Sequence, residues 1–287
     1  MKPSFRVCAW VLAVVVTTLL STSFATASDG VGEIHQACVA TGCLAGDTAG
    51  FPIQITQPGS YLLTSNLTVP DENTTAIEVT AEGPVQIDLG GFSISGVTTC
   101  SGNPIVCTPL GTGSGINSDP SRSISIRNGA IRGMGGFAIN VGSGLIEDTV
   151  VRGNGGTGIA AAAAIVQSNV VIGNGSTGIT NGAGMILNNQ VFGNGGTGIA
   201  GTVGPTVRGN RVRGNGGAGN NPGIRTVDGY VFDNHVELND SVGLQANGTT
   251  VFGNNVFRSN NLPANAGNQV AGGTQIGLNL CQNVPCP

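Results

Sequence analysis

Three columns of branched aliphatic residues recur down this chain at an interval of about twenty, and that interval restricts the fold more than any other feature. The first column is Ile126, Ile146, Val166, Ile186, Val207, Val231 and Val251; the second is Ile131, Val151, Val171, Val191, Val212, Val236 and Val256. The third is Ile139, Ile159, Ile179, Ile199, Ile224 and Leu244, and successive members of each column lie 20, 21, 24 or 25 residues apart. Branched side chains favour strands. A repeat of this length with three short strands describes a solenoid whose turns stack their apolar side chains on one another. Within a turn the steps are five, eight and seven residues, so three strands are joined by three unequal bends.

Between the first two columns runs a row of asparagines, read as Asn169, Asn189, Asn210, Asn234 and Asn254, and a second row, Asn154, Asn174, Asn194, Asn215 and Asn239, follows the second strand. Asn tolerates left-handed backbone, and stacked amides hydrogen-bond along the coil axis, so both rows are read as bend formers. The same phase continues towards the N-terminus. Ile77, Ile87 and Phe92 each precede Ile116, Ile126 and Ile131 by 39 residues, one turn plus an insertion that must hold Cys100 and Cys107. Residues 216–223 enlarge the same bend, so both loops should project from one edge. The third column, started at Ile77, gives about eight turns with an incomplete one at each end.

Residues 1–27 are expected to be a signal peptide: Lys2 and Arg6 precede an apolar run, and Ala25-Thr26-Ala27 is a small-residue cleavage site. The remaining divisions are an N-terminal cap over 28–50, the solenoid over 51–261 and a C-terminal cap over 262–287, with a short helix expected between Gly32 and Leu44. Six cysteines remain after the signal, in tight pairs that favour the disulfides Cys38–Cys43, Cys100–Cys107 and Cys281–Cys286. No metal is expected, because His35 and His235 stand in no zinc-like spacing with them and the aspartates of calcium-binding repeats are missing. No cofactor is implied. Nine arginines, no lysine and fifteen acids give the processed chain a net charge of −6, which excludes lysine-based chemistry. Nucleic acid is not an expected partner, since the bases are too sparse. Membrane integration is not expected either, since no second apolar run reaches spanning length.

With columns, Asn rows and Gly-Asn-Gly-Gly-Thr-Gly-Ile turn phrases in place, the chain resembles the right-handed parallel β-helix proteins of the pectate-lyase-like superfamily. The segment from Gln86 to Gly96, QIDLGGFSISG, is similar to the opening coil of many such secreted proteins. The resemblance implies an all-β, single-domain, three-sheet fold; left-handed β-helices keep an 18-residue turn that the longer steps here break. It also implies that catalytic groups, where present, sit on the sheet carrying the third column. The outward positions there read Asn140, Ala160, Thr180, Ala200, Arg225 and Gln245 on one side and Ala138, Gly158, Gly178, Gly198, Gly223 and Gly243 on the other. Neither the aspartate clusters of the lyases and hydrolases nor the Asp-Pro-His-His signature of alginate epimerases maps onto them.

Chemistry-bearing residues gather elsewhere. Arg208, Arg211 and Arg213 fall on one turn and Asp233, His235 and Glu237 on the next, with 211 beside 235 and 213 beside 237; Arg213 and Glu237 should pair, and His235 is a candidate general base. Phe192, Phe232, Phe252 and Phe257 are read as outward aromatics suited to sugar rings or to a partner. Arg225, Asp228 and Asp119 are the loop-borne candidates beside the third sheet. Three functions fit: an exported module that binds a polysaccharide or extracellular surface component without catalysis, a polysaccharide lyase or hydrolase using loop acids, or a structural rod. Oligomeric state is not readable from the sequence.

Overall fold

The first-column strand of one turn pairs with the first-column strand of the next, and the same holds for the other two columns, so the chain winds into three parallel sheets. The computed structural model describes residues 30–217, 221–261 and 269–286. In the third sheet the inward register runs Ile53, Ile77, Ile116, Ile139, Ile159, Ile179, Ile199, Ile224, Leu244 and Val270. The solenoid therefore has about 10 turns. Ile53 and Val270 open the coils at the two ends, which the sequence reading of about eight turns held as incomplete ones. Each of these side chains except Val270 is fully buried, and burying an aliphatic side chain of this size contributes about 1.5–3 kcal/mol.

Two columns shift phase at their ends. Ile131 pairs with Ile94, not with Phe92, since the turn at Gly90 and Gly91 takes up two more residues. Val231 pairs with Phe252 and Val236 with Phe257, because the bend holding Gly248 and the buried Thr250 carries one extra residue. Val251 and Val256 thus point outward, and Phe252 and Phe257 lie in the core at 4% and 0% exposure. Neither ring is the outward aromatic expected from the sequence.

The same slip moves the first asparagine row. It runs Asn169, Asn189, Asn210, Asn234, Asn255 and Asn279, each side-chain nitrogen donating to the next side-chain oxygen at 3.0 Å. Asn254 is instead an exposed bend residue at φ 56°. The second row runs Asn154, Asn174, Asn194, Asn215, Asn239 and Asn260 at 2.8–3.0 Å and ends on Gln269. Within the rows each side-chain oxygen also accepts the backbone N–H of the asparagine one coil back, as Asn189 does from Asn169, and the nitrogens of Asn169 and Asn189 donate to the carbonyls of the column residues Ile146 and Val166, which is why polar residues are tolerated at 0–2% exposure.

The ends and the insertion depart from the repeat. At the N-terminus the strand Val31–Ile34 already joins the first sheet, and the expected helix is a single 3-10 turn, Gln36–Ala40, whose Cys38 N–H donates to His35 Nδ1 at 3.2 Å. At the C-terminus Leu280–Cys281 and Val284–Pro285 form an antiparallel pair. The insertion is an antiparallel hairpin of Thr99–Ser101 with Val106–Thr108. Cys38–Cys43, Cys100–Cys107 and Cys281–Cys286 are disulfides. Residues 1–27, expected to be a signal peptide, and residues 262–268, expected to belong to a C-terminal cap, lie outside the described residues, and no described helix is long and apolar enough to cross a membrane.

Candidate functional site

The third sheet presents one outward row. A Cβ added to Gly158 would lie 2.7 Å from a Val171 methyl and 2.9 Å from the Asn174 amide, and Gly178, Gly198 and Gly223 meet the next coils in the same way. Ala138 is fully buried. These residues face the interior at the bend, so of the two rows expected to point outward only the one from Asn140 to Gln245 does so. Extended to the N-terminal coils, that row reads Gln54, Glu78, Asn117, Asn140 and Ala160. Glu78 is therefore a carboxylate on this sheet, on a coil before those whose outward positions were read from the sequence. Both its oxygens accept from Asn117 Nδ2 at 3.0 Å, and Asn140 Nδ2 donates to Asn117 Oδ1 at 2.8 Å. The carboxylate ends a polar stack. Among the described residues the nearest charge to Glu78 along this row is Arg225, six coils away.

The acids at the bends are held by hydrogen bonds, Asp71 and Asp119 within their own turns and Asp228 and Asp88 in part from the following coil. Asp228, at φ 56°, accepts from the Thr249 N–H at 2.7 Å and from its hydroxyl at 3.0 Å, and these bonds hold its carboxyl below the usual range. Asp119 is lowered by the Ser121 hydroxyl and N–H, and Asp71 by the Thr74 hydroxyl and the Asn73 N–H. At Asp88 burial opposes ionisation, but the Gly90 N–H, Asn128 and Arg127 outweigh it. Each of these carboxylates is stabilised as the anion, the reverse of what a general acid needs. Arg225 is exposed on the third sheet, and no described acid pairs with it.

The cluster on the adjoining coils forms in the expected register, Arg211 beside His235 and Arg213 beside Glu237. Glu237 Oε1 lies 3.3 Å from Arg211 Nη2 and 3.6 Å from Arg213 Nε, and its Oε2 lies 3.5 Å from His235 Nε2. One carboxylate thus serves three cationic or ionisable neighbours. Arg208 is a coil edge away and pairs with Asp233 at 2.8 Å. The Arg211 guanidinium sits over the Phe192 ring, 5.7 Å from its centroid, a cation–π distance. Phe232 is half-buried on the first sheet and not part of this group.

Arg213 also belongs to a longer row along the second sheet: Ser95, Arg132, Arg152, Ile172, Phe192, Arg213, Glu237 and Arg258 occupy register positions on successive coils. The disulfide hairpin lies beside it. Its sulfurs stand 3.5 and 3.7 Å from the Asn154 carbonyl oxygen, a Cβ on Gly175 would lie 2.8 Å from Cys107 Sγ, and one on Gly217 would lie 3.2 Å from Pro104. The hairpin thus runs down the axis as a wall, and a depression of about 520 Å³ separates it from Arg132, Arg152 and Ile172. A second depression, of about 320 Å³, continues the row at Phe192, Arg211 and Arg213. No three described His, Cys, Asp or Glu residues come together as a metal site.

The parallel register of all three sheets decides the architecture. The chain is a right-handed parallel β-helix. No family model matches this β-helix, and neither does any curated protein. Its solved structural neighbours include the A-module of the mannuronan C-5 epimerase AlgE4 of Azotobacter vinelandii, at 13% identity and TM-score 0.47, covering 90% of this chain and 87% of that one. The A-module of AlgE6 from the same organism aligns at 14% identity and TM-score 0.48, covering 87% and 82%.

Sequence reasoning missed Arg132 and Arg152 as members of a surface. The signal was present, because both follow a second-column residue by one position, as Arg213 does. The wall was not readable, since nothing in the insertion says which way the hairpin folds.

Proposed function

We propose that this β-helix is an exported module that binds a glycan or other surface polymer on the outside of its coils without transforming it. One observation carries the reading: among the described residues the third sheet offers a single carboxylate tied into an amide stack, whereas the second sheet offers exposed arginines and a half-buried ring beside a wall. The three disulfides fit an oxidising compartment. An enzyme acting through loop acids is the second reading, and its candidates Arg225 and Asp228 share a coil. Against it, Asp228 is anchored to Thr249 and kept as an anion. A purely structural rod is the third.

The test is incubation of the protein with uronic-acid and neutral polysaccharides, followed by assays for unsaturated products, new reducing ends and epimerised residues. Retention on a polymer with no chemical change supports the module. Turnover that disappears in Arg225→Ala or Asp228→Ala would establish the enzyme instead.

A further inference from the structure

We infer that the outward face of the second sheet, from Arg132 to Arg213, is a groove for an acidic polysaccharide laid along the helix axis, with the Cys100–Cys107 hairpin as its side wall. The inference rests on the binding reading above and gives it a place and a polymer class. Arg132 and Arg152 are register partners on adjacent coils, both exposed, and neither has an acidic partner among the described residues. Arg132 Nε donates to Ser95 Oγ at 3.0 Å, which orients the side chain without neutralising it. Like charges directly opposed on neighbouring strands are unfavourable to the fold. A bound polyanion removes that repulsion.

The rest of the row fits a sugar chain better than a phosphate backbone. Two arginines are followed by Ile172, 39% exposed, then the Phe192 ring, then Arg213. Cations therefore flank an apolar stretch on which pyranose faces can rest. Strands repeat about every 4.8 Å, so Arg132 and Arg213 stand about 19 Å apart, the span of a few sugars. A polyuronate carries one carboxylate per sugar, and a guanidinium fork matches a carboxylate with two parallel hydrogen bonds. Glu237 follows Arg213 on the same row and closes the groove by repelling further carboxylates. A nucleic acid would need a denser basic track than two unpaired arginines per groove.

The experiment measures affinity of the full chain for polygalacturonate, the same polymer with its carboxyls reduced, and single-stranded DNA, using wild type, the double variant Arg132→Ala/Arg152→Ala and Arg127→Ala on the first sheet. Expected are binding of the uronate that weakens with salt, none of the reduced polymer, a loss of about tenfold in the double variant and no change in Arg127→Ala. Thermal unfolding of the double variant should match or exceed wild type. Undiminished uronate binding by the double variant, equal binding of the reduced polymer or equal competition by DNA would overturn the groove while leaving a binding module in place. Wild type that binds no polysaccharide at all would remove both.

Discussion

Asn188 and Asn189 are adjacent and chemically identical, yet the fold uses them oppositely, which makes them a sharp test of the ladder. Asn188 is exposed at φ 55°, and Asn189 is 1% exposed. The Asn189 side chain accepts from the Asn169 backbone N–H and side-chain nitrogen, both at 3.0 Å, and donates to the Val166 carbonyl at 2.8 Å and to Asn210 Oδ1 at 3.0 Å. In Asn189→Ala the Asn169 backbone N–H is left buried with no other partner, while the Asn169 amide keeps the Ile146 carbonyl. One orphaned buried donor costs about 1–3 kcal/mol and each of the other lost bonds about 0.5–1.5 kcal/mol, so the variant should lose about 3–5 kcal/mol. Asn188→Gly should stay within about 0.5 kcal/mol, because glycine occupies that φ freely. Urea denaturation followed by circular dichroism reads both midpoints. Equal losses, or a loss under about 1 kcal/mol for Asn189→Ala, would refute the ladder as a stabilising element. Asn189→Asp adds a signed check. Its carboxylate would face two acceptors, raising its folded pKa above the unfolded value near 4, so this variant's deficit should shrink as pH falls through that raised pKa and be smallest below about 4.

Three further outcomes follow from the same geometry. Gly198→Ala places a Cβ 2.5 Å from a Val212 methyl and 2.6 Å from the Gly223 carbonyl oxygen, so it should cost about 1–3 kcal/mol by overpacking; Gly193→Ala, with open space around it at φ 57°, should cost only about 1 kcal/mol, and a midpoint comparison separates them. Asp228 is depressed from the ordinary 3.8, so its contribution is complete above that value and lost as pH falls through the folded pKa; the stability gap between wild type and Asp228→Ala should be flat at neutral pH and narrow below about 4. Glu237→Gln frees Arg211 and Arg213 from their shared carboxylate and should tighten uronate binding by a few-fold at low salt, measured by calorimetry.

The columns made the three sheets legible because a core residue recurs wherever a coil closes, and coils of constant length keep the phase. Legibility failed where a bend changed length. One extra residue around Gly248 turned Phe252 and Phe257 inward and moved the ladder from Asn254 to Asn255, and the alternation of outward and inward Val, Phe and Asn there offers the sequence two equally apolar registers. The glycines before the third strand read as surface because glycine has no side chain to reveal a direction; only the closeness of Val171 and Asn174 shows that they face inward. Arg211, Arg213, His235 and Glu237 were placed together correctly, since their separation is one coil. Glu78 was missed because the outward positions were read only from Asn140 onwards, although Ile77 beside it already stood in the third column.

An acidic polymer laid on the second sheet and not on the third would leave a distinct footprint on the arginines. With nine arginines in residues 28–287, protection from an arginine-specific dicarbonyl reagent, read by mass spectrometry with and without polygalacturonate, reports on every candidate at once. Polygalacturonate bound in the groove should protect Arg132, Arg152 and Arg213 and leave Arg225 and Arg127 labelled. Protection of Arg225 with Arg132 and Arg152 left reactive would contradict it and return attention to the third sheet.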